Sequence, residues 1–416
     1  MEYSKLKVNF FRNPISYGLM VFLWVSCSHK DIQTVPTRWM GPEANGHYPD
    51  TGLLKDWPEE GPEILWTYDS LGIGFSSAVI QNGYLFTTGM IDSTGYLYKL
   101  DLNGQFIYKV PYGTEWTGSY PGTRGSPTIV GDRVYLVSGR GKLLCFNSED
   151  GSIIWSKEYF TDFGGENIIW GINESPVVDG DIVYATPGGK ENNVIALDRF
   201  TGELKWACQG EGELSAYCTP LLIEHEGRKL LITYSEAHLL GIDPNLGELL
   251  WSVDVPNEYS IQLCTPLYEN GELYFPTGNE VGGGKLRLSG NGSSVSVLWN
   301  NQVCDFRFSA IYVNGDIYES FTDYNRLTWR CIDWDSGEEK FISTELEPGN
   351  SLYADGMLYL YTSKGELALV KPDSGEMKII SLTRVKSGSG LHLARPMIYN
   401  GILYIRHGKS MIAYSI

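Results

Sequence analysis

Ser175-Pro176-Val177-Val178-Asp179-Gly180-Asp181-Ile182-Val183-Tyr184, followed by Val194-Ile195-Ala196-Leu197-Asp198-Arg199-Phe200-Thr201-Gly202-Glu203-Leu204-Lys205-Trp206, decides the architecture of this chain. Apolar residues alternate over short runs, which is the period of a half-buried strand. Asp179-Gly180 and Thr201-Gly202 supply the turn residues that join such strands into hairpins. Trp206 ends the phrase with a bulky apolar plug. One copy reads as a four-stranded antiparallel sheet.

The phrase recurs. A second unit carries Ser126-Pro127, Val134-Tyr135, Asp150-Gly151 and Trp155; a fourth carries Thr219-Pro220, Asp243, Gly247 and Trp251. A sixth has Asp316-Ile317-Tyr318, Asp333, Ser336-Gly337 and Phe341, and a seventh has Asp355-Gly356, Leu358-Tyr359, Asp373-Ser374-Gly375 and Ile379. Looser copies start near Ser76-Ser77 and at Thr265-Pro266, the latter ending at Trp299, and a last copy starts at Arg395-Pro396. The spacing averages about 45 residues, the length of one propeller blade. The last copy stops at Ala413-Tyr414-Ser415-Ile416, where the others turn into a fourth strand, and a spare fourth strand with its own Trp66 stands at Glu63 to Tyr68. Pairing the two hides both free edges. The sequence therefore predicts an all-β, eight-bladed β-propeller of four-stranded antiparallel blades, closed by an N-terminal strand that completes the last blade. Trp66, Trp155, Trp206, Trp251 and Trp299 are its structural blade tryptophans.

Composition agrees. Among 416 residues, Gly 48, Tyr 27 and Trp 12 suit short strands and tight turns. A net charge of -18 repels phosphate backbones and argues against nucleic-acid binding. At the N-terminus, Lys5, Lys7 and Arg12 precede an apolar run from Ile15 to Val25 and then Ser26-Cys27. This is the layout of an export signal, too short for a mature membrane span. It resembles a bacterial lipoprotein signal, with Trp24 where that motif usually has an aliphatic residue. The resemblance implies lipidation at Cys27 and a chain held at the cell envelope, on the outer membrane, by its acyl chains alone. The expected organisation is a signal segment over 1–27, a tether and lead-in over 28–60, and one propeller over 61–416, acting as a monomer. Cys145, Cys208, Cys218, Cys264, Cys304 and Cys331 form no CxxC pair and are expected as buried thiols.

Ala196-x-Asp198-x-x-Thr201-Gly202-x-x-x-Trp206 resembles the tryptophan-docking motif of pyrroloquinoline-quinone (PQQ) propeller repeats. The lead-in, with Gly41-Pro42, Thr51 to Lys55, Trp57-Pro58 and Gly61-Pro62, resembles the start of secreted bacterial PQQ-like propellers. In that family the Trp packs between neighbouring blades while the Asp and Thr-Gly fix the turn. The family's dehydrogenases also carry a vicinal disulfide against the quinone, carboxylate and amide ligands for Ca²⁺, and a catalytic Asp. Adjacent cysteines are absent from this sequence, and its blades are close to minimal length. HExxH and GxSxG are absent too, and there are only six histidines.

A propeller binds ligands at its axial funnel and on its face loops. The residues just before each Ser-Pro or Thr-Pro phrase are expected to ring one mouth of the channel: Phe75, Arg124, Asn173, Glu174, Tyr217, Gln262, Arg307, His392 and Arg395, with Trp170 close by. Their arginines and aromatics suit an anion or a sugar-like ligand. Asn173 and Glu174 are acceptable Ca²⁺ ligand types but offer too few oxygens alone. The reading that follows is a lipid-anchored, non-enzymatic binding or scaffolding protein with an envelope protein partner or small ligand at one face, and no cofactor. A PQQ- and Ca²⁺-dependent oxidoreductase and a cell-surface glycan or peptide binder are the alternatives.

Overall fold

The computed structural model describes residues 36–256, 261–277, 283–301, 308, 310–323 and 326–416. Cys27, Cys304 and Arg307 lie outside them. Among the described residues the strands form eight sheets, six of them built of four consecutive antiparallel strands stepping outward, one with a fifth strand added and one completed by a strand from the front of the chain. Blade 3, from which the phrase was read, comprises Val177–Asp179, Ile182–Ala185, Val194–Asp198 and Leu204–Cys208. The ring closes as the sequence predicts. Ile64–Tyr68 pairs antiparallel with Ser410–Ser415 and supplies the outer strand of blade 8, whose other strands are Met397–Tyr399 and Ile402–His407.

The tryptophans dock across blades. Trp155 of blade 2 donates from Nε1 to the Arg199 carbonyl in the blade 3 turn, and Trp206 of blade 3 donates likewise to Pro244 in blade 4. Trp66, Trp251 and Trp299 repeat the bond to Leu102, Gly292 and Trp334. A bulge one residue earlier, as at Ile154 or Lys205, turns each indole toward its neighbour. The turn glycine lies flat on the ring. Gly202 has φ +74 and a Cβ there would stand 2.9 Å from Trp155, which is why Thr-Gly, and not Thr-Ala, occupies this place.

Three blades depart from the pattern: blade 6 carries Phe341 at the docking position, and in the other two the structure supplies substitutes. In blade 1, Tyr108 takes the Trp position and its hydroxyl donates to the Ser148 carbonyl. In blade 7 the register puts Ser381, not Ile379, where other blades carry the aromatic. There Trp57 of the lead-in fills the gap. Its ring sits 6.0 Å from Tyr359, the spacing of Tyr135–Trp155 and Tyr184–Trp206, and its backbone N–H donates to Ser381 Oγ.

The lead-in does more than tether. Thr37 exchanges two backbone bonds with Ile129 on the inner strand of blade 2, and His47 Nε2 lies 2.7 Å from the Tyr312 carbonyl of blade 6. His47–Tyr48 then adds a fifth, parallel strand to the inner edge of blade 7, against Tyr353 and Ala354. Inner edges of a propeller carry unpaired backbone groups, and these contacts satisfy some of them. The axis is therefore partly filled by the chain's own residues.

Candidate functional site

Chain direction fixes which loops share a face. Each blade's inner strand starts on the face that also holds the connections between blades and the central hairpins. The Ser and Thr that open the blades build a ring on this face. Ser77 N donates to Ser126 Oγ, Ser126 N to Ser175 Oγ, and Ser175 N to Thr219 Oγ1, at 2.9 to 3.0 Å. Thr265 Oγ1 donates to the Thr219 carbonyl, Cys264 Sγ to Phe308, Ser320 Oγ to Gly349 and Asn350 Nδ2 to Leu393. Ser77 Oγ donates to the Arg395 carbonyl and completes the circuit of eight blades. The Ser-Pro phrase is thus a blade-to-blade fastener.

The candidate residues divide around that ring. Tyr217, Gln262, Glu174 and Arg395 are buried. Gln262 Nε2 donates to the Val255 carbonyl, and Arg395 Nη2 to that of Ser351. Phe75 and Asn173 are half-buried, the former joined through its backbone to Thr123. His392 is held between the Tyr361 hydroxyl, 2.5 Å from Nδ1, and the His407 ring, stacked at 3.7 Å. Burial, then His407, pushes its pKa down to about 4.

Arg124, Trp170 and Tyr217 come together. The Trp170 backbone N–H donates to the Tyr217 hydroxyl, 2.9 Å away. Arg124 lies 5.8 Å from the Trp116 ring and donates to the Ser119 and Tyr120 carbonyls. Tyr120 in turn faces Trp170 at 6.4 Å. Burial lowers the Arg124 pKa, partly offset by nearby Glu115. Ile169, 75% exposed, and Tyr120, 53% exposed, stand at the edge of this cluster. Trp116, Tyr120 and Ile169 were missed because they sit in loops with no periodic signal.

Glu174 is a structural hub. It accepts from the Tyr159 hydroxyl on one oxygen and the Thr186 hydroxyl on the other, with Thr186 N at 3.3 Å. Both oxygens are committed to neutral donors inside the core, so the Asn173–Glu174 pair does not fit a Ca²⁺ ion. No described group of three or more His, Cys, Asp or Glu is arranged to hold a metal. Cys145, Cys208, Cys218 and Cys331 are buried free thiols, and Cys264 is buried as well.

Burial raises the Glu174 carboxyl above its ordinary value of 4.5, against the hydrogen bonds from Thr186 and Tyr159 that lower it. A carboxyl raised in the folded state stabilises the fold fully below its unfolded pKa. That contribution is lost as pH rises through the folded pKa. Glu174→Gln, neutral throughout, should therefore gain in Tm relative to the parent as pH is raised from the ordinary carboxyl range upward. A difference that does not change over this range would contradict the assignment.

Eight blades, five of them fastened by an indole on the neighbouring blade's turn, define an eight-bladed propeller of the tryptophan-docking class. The family model described as "Outer membrane protein assembly factor BamB" matches residues 58–281, more than half of the chain, and the chain belongs to that family of PQQ-like propellers. Over 264 residues it is 24% identical to an uncharacterized protein of Rickettsia prowazekii (strain Madrid E), covering 52% of this chain and 61% of that one. The match thus spans less than two thirds of that relative's length. BamB from Moraxella catarrhalis superposes with a TM-score of 0.61 at 14% identity, over 85% of this chain and 100% of its own. Quinohemoprotein alcohol dehydrogenase from Comamonas testosteroni gives 0.51 at 13% identity, over 91% and 80%. At these identities the structural likenesses speak to the fold alone.

Proposed function

We propose that this chain is an exported, lipid-tethered scaffold of the cell envelope that binds a protein partner through the loop face above blades 2 and 3. The observation that carries the reading is the cluster of Trp116, Tyr120, Ile169 and Trp170 around Arg124. It pairs solvent-exposed apolar side chains with a rigidly held cation on a well-fastened ring. Exposed Ile and Tyr rimmed by polar groups are the usual makings of a protein contact. The family's description, an outer membrane protein assembly factor, supports an envelope role of this kind. Cys27 supplies the tether.

The experiment is a crosslinking pulldown from membranes with the parent and with Ile169→Asp/Tyr120→Asp. The parent should enrich a defined envelope protein, and the double variant should lose at least nine-tenths of it at unchanged Tm, about the effect of removing a hot spot. Equal recovery by both would remove this face from consideration. Cys27→Ala should release the protein from membranes. Stoichiometric PQQ binding with Ca²⁺-dependent alcohol oxidation would replace the scaffold reading with the oxidoreductase one.

A further inference from the structure

A cavity of about 250 Å³ lies between the lead-in and the inner strands of blades 8 and 1. Arg38, Trp39, Met40, Tyr48, Asp50 and Met397 form much of its wall. Trp39 is shared with a second group, for its ring also lies 5.8 Å from the Arg395 guanidinium carbon. Tyr48 likewise lines the cavity and interacts electrostatically with that guanidinium.

Arg395 is 3% exposed. It donates from Nη2 to the Ser351 carbonyl, while its Nε and Nη1 and the Ser351 hydroxyl have no hydrogen-bond partner. Gly46 crosses it at φ +83, and a Cβ there would stand 2.8 Å from Nη2. The lead-in is therefore moulded around the guanidinium without supplying an acceptor. Arg38 repeats the pattern on the cavity wall. Its Nη2 makes a 3.3 Å bond to the Pro42 carbonyl, and its buried Nε has no partner. Among the described residues no ion pair joins either arginine to a carboxylate. Asp50, the carboxylate of the wall, accepts from the Gly401 N–H at the far side.

A buried guanidinium keeps its charge and presents five N–H donors. Leaving them unmet is costly, and an anion is the partner that matches them, bidentately if it is a carboxylate. Here Arg38 lines the cavity and Arg395 stands beside Trp39 of its wall, in a chain of net charge -18. We propose that this cavity binds a small organic carboxylate, its anionic end held by Arg395 and Arg38 and its apolar body by Trp39, Met40 and Met397. The volume, that of roughly eight liquid waters, sets the size class. Trp39 is the side chain that turns to let the carboxylate reach Arg395.

The test titrates benzoate, its neutral isostere benzamide, and chloride into the full chain, read by calorimetry and by Tm. Benzoate should bind saturably and raise Tm, with benzamide and chloride each at least tenfold weaker. Arg395→Met should weaken benzoate at least tenfold. If that variant does not fold, Arg38→Met, at a half-buried position, should weaken it at least threefold. Absence of saturable benzoate binding overturns the proposal, as does benzamide or chloride matching benzoate, or an unchanged affinity in the arginine variant that folds.

Discussion

A chain starting at Ser70 is expected to lose its soluble monomer. It lacks Ile64–Tyr68, so Ser410–Ser415 presents an open edge whose Met411, Ile412, Ala413 and Tyr414 are buried in the closed ring. An open edge backed by apolar side chains pairs with other chains. It also lacks Trp66, whose indole sits on Gly104 and bonds Leu102, and with it the fastener between blades 8 and 1. Size-exclusion chromatography with light scattering should show at least a tenfold fall in monomer, with the rest as oligomer or aggregate. A chain starting at Pro58 separates closure from the lead-in. It retains the closing strand but loses Trp57 and the fifth strand of blade 7, so it should remain a monomer with a lowered Tm. Adding a peptide of residues 58–69 to the Ser70 chain should recover monomer. A Ser70 chain that stays monomeric at the parent's Tm would show that the pairing of Ile64–Tyr68 is dispensable.

The closing strand was legible because its signal is local and repeated. Trp66 stands in the same phrase as Trp155 and Trp206, and Asp198 with Gly202 forms a turn whose requirements act over five residues. Periodicity reports such features well. Trp57 was not legible in its role. Its partner Tyr359 lies about three hundred residues away, and what calls for it is the Ser381 that blade 7 carries in place of an aromatic. Tyr108 was missed for a related reason. A phenol can reach the carbonyl that an indole would, but pattern matching looks for the indole.

The candidate site shows the limit of position along the chain. Residues before each Ser-Pro phrase share a place in the repeat, yet their side chains differ in burial and in partners. Arg124 turns out toward Trp116, whereas Tyr217 and Gln262 turn in. The Ser and Thr of these phrases mark where inner strands begin, and the sequence gives them no further role. Only the placement of neighbouring blades reveals that Ser126 accepts from Ser77 and donates toward Ser175. The sequence marks a tether and a structured lead-in over 28–60, but its fit around Arg395 depends on Gly46 at a positive φ that composition alone does not announce.

Arg330→Met is expected to cost about 3–5 kcal/mol, the usual penalty for stranding one partner of a buried ion pair. Glu319 and Arg330 face each other across the two middle strands of blade 6, at 1% and 4% side-chain exposure. Nε of Arg330 donates to Glu319 Oε1 at 2.8 Å and Nη2 to the same oxygen at 2.5 Å. Glu319 Oε2 accepts from the Tyr274 hydroxyl of blade 5, so the carboxylate also fastens two blades. Removing the cation leaves a carboxylate in the core with one neutral donor. Glu319→Gln/Arg330→Met removes both charges while the amide oxygen still accepts from Tyr274, and it should recover at least about 2 kcal/mol of the single variant's loss. The urea midpoint at unchanged slope measures both. If the double variant is no more stable than Arg330→Met alone, the loss comes from the arginine's packing against Phe321, 5.1 Å from its guanidinium, and not from a stranded charge.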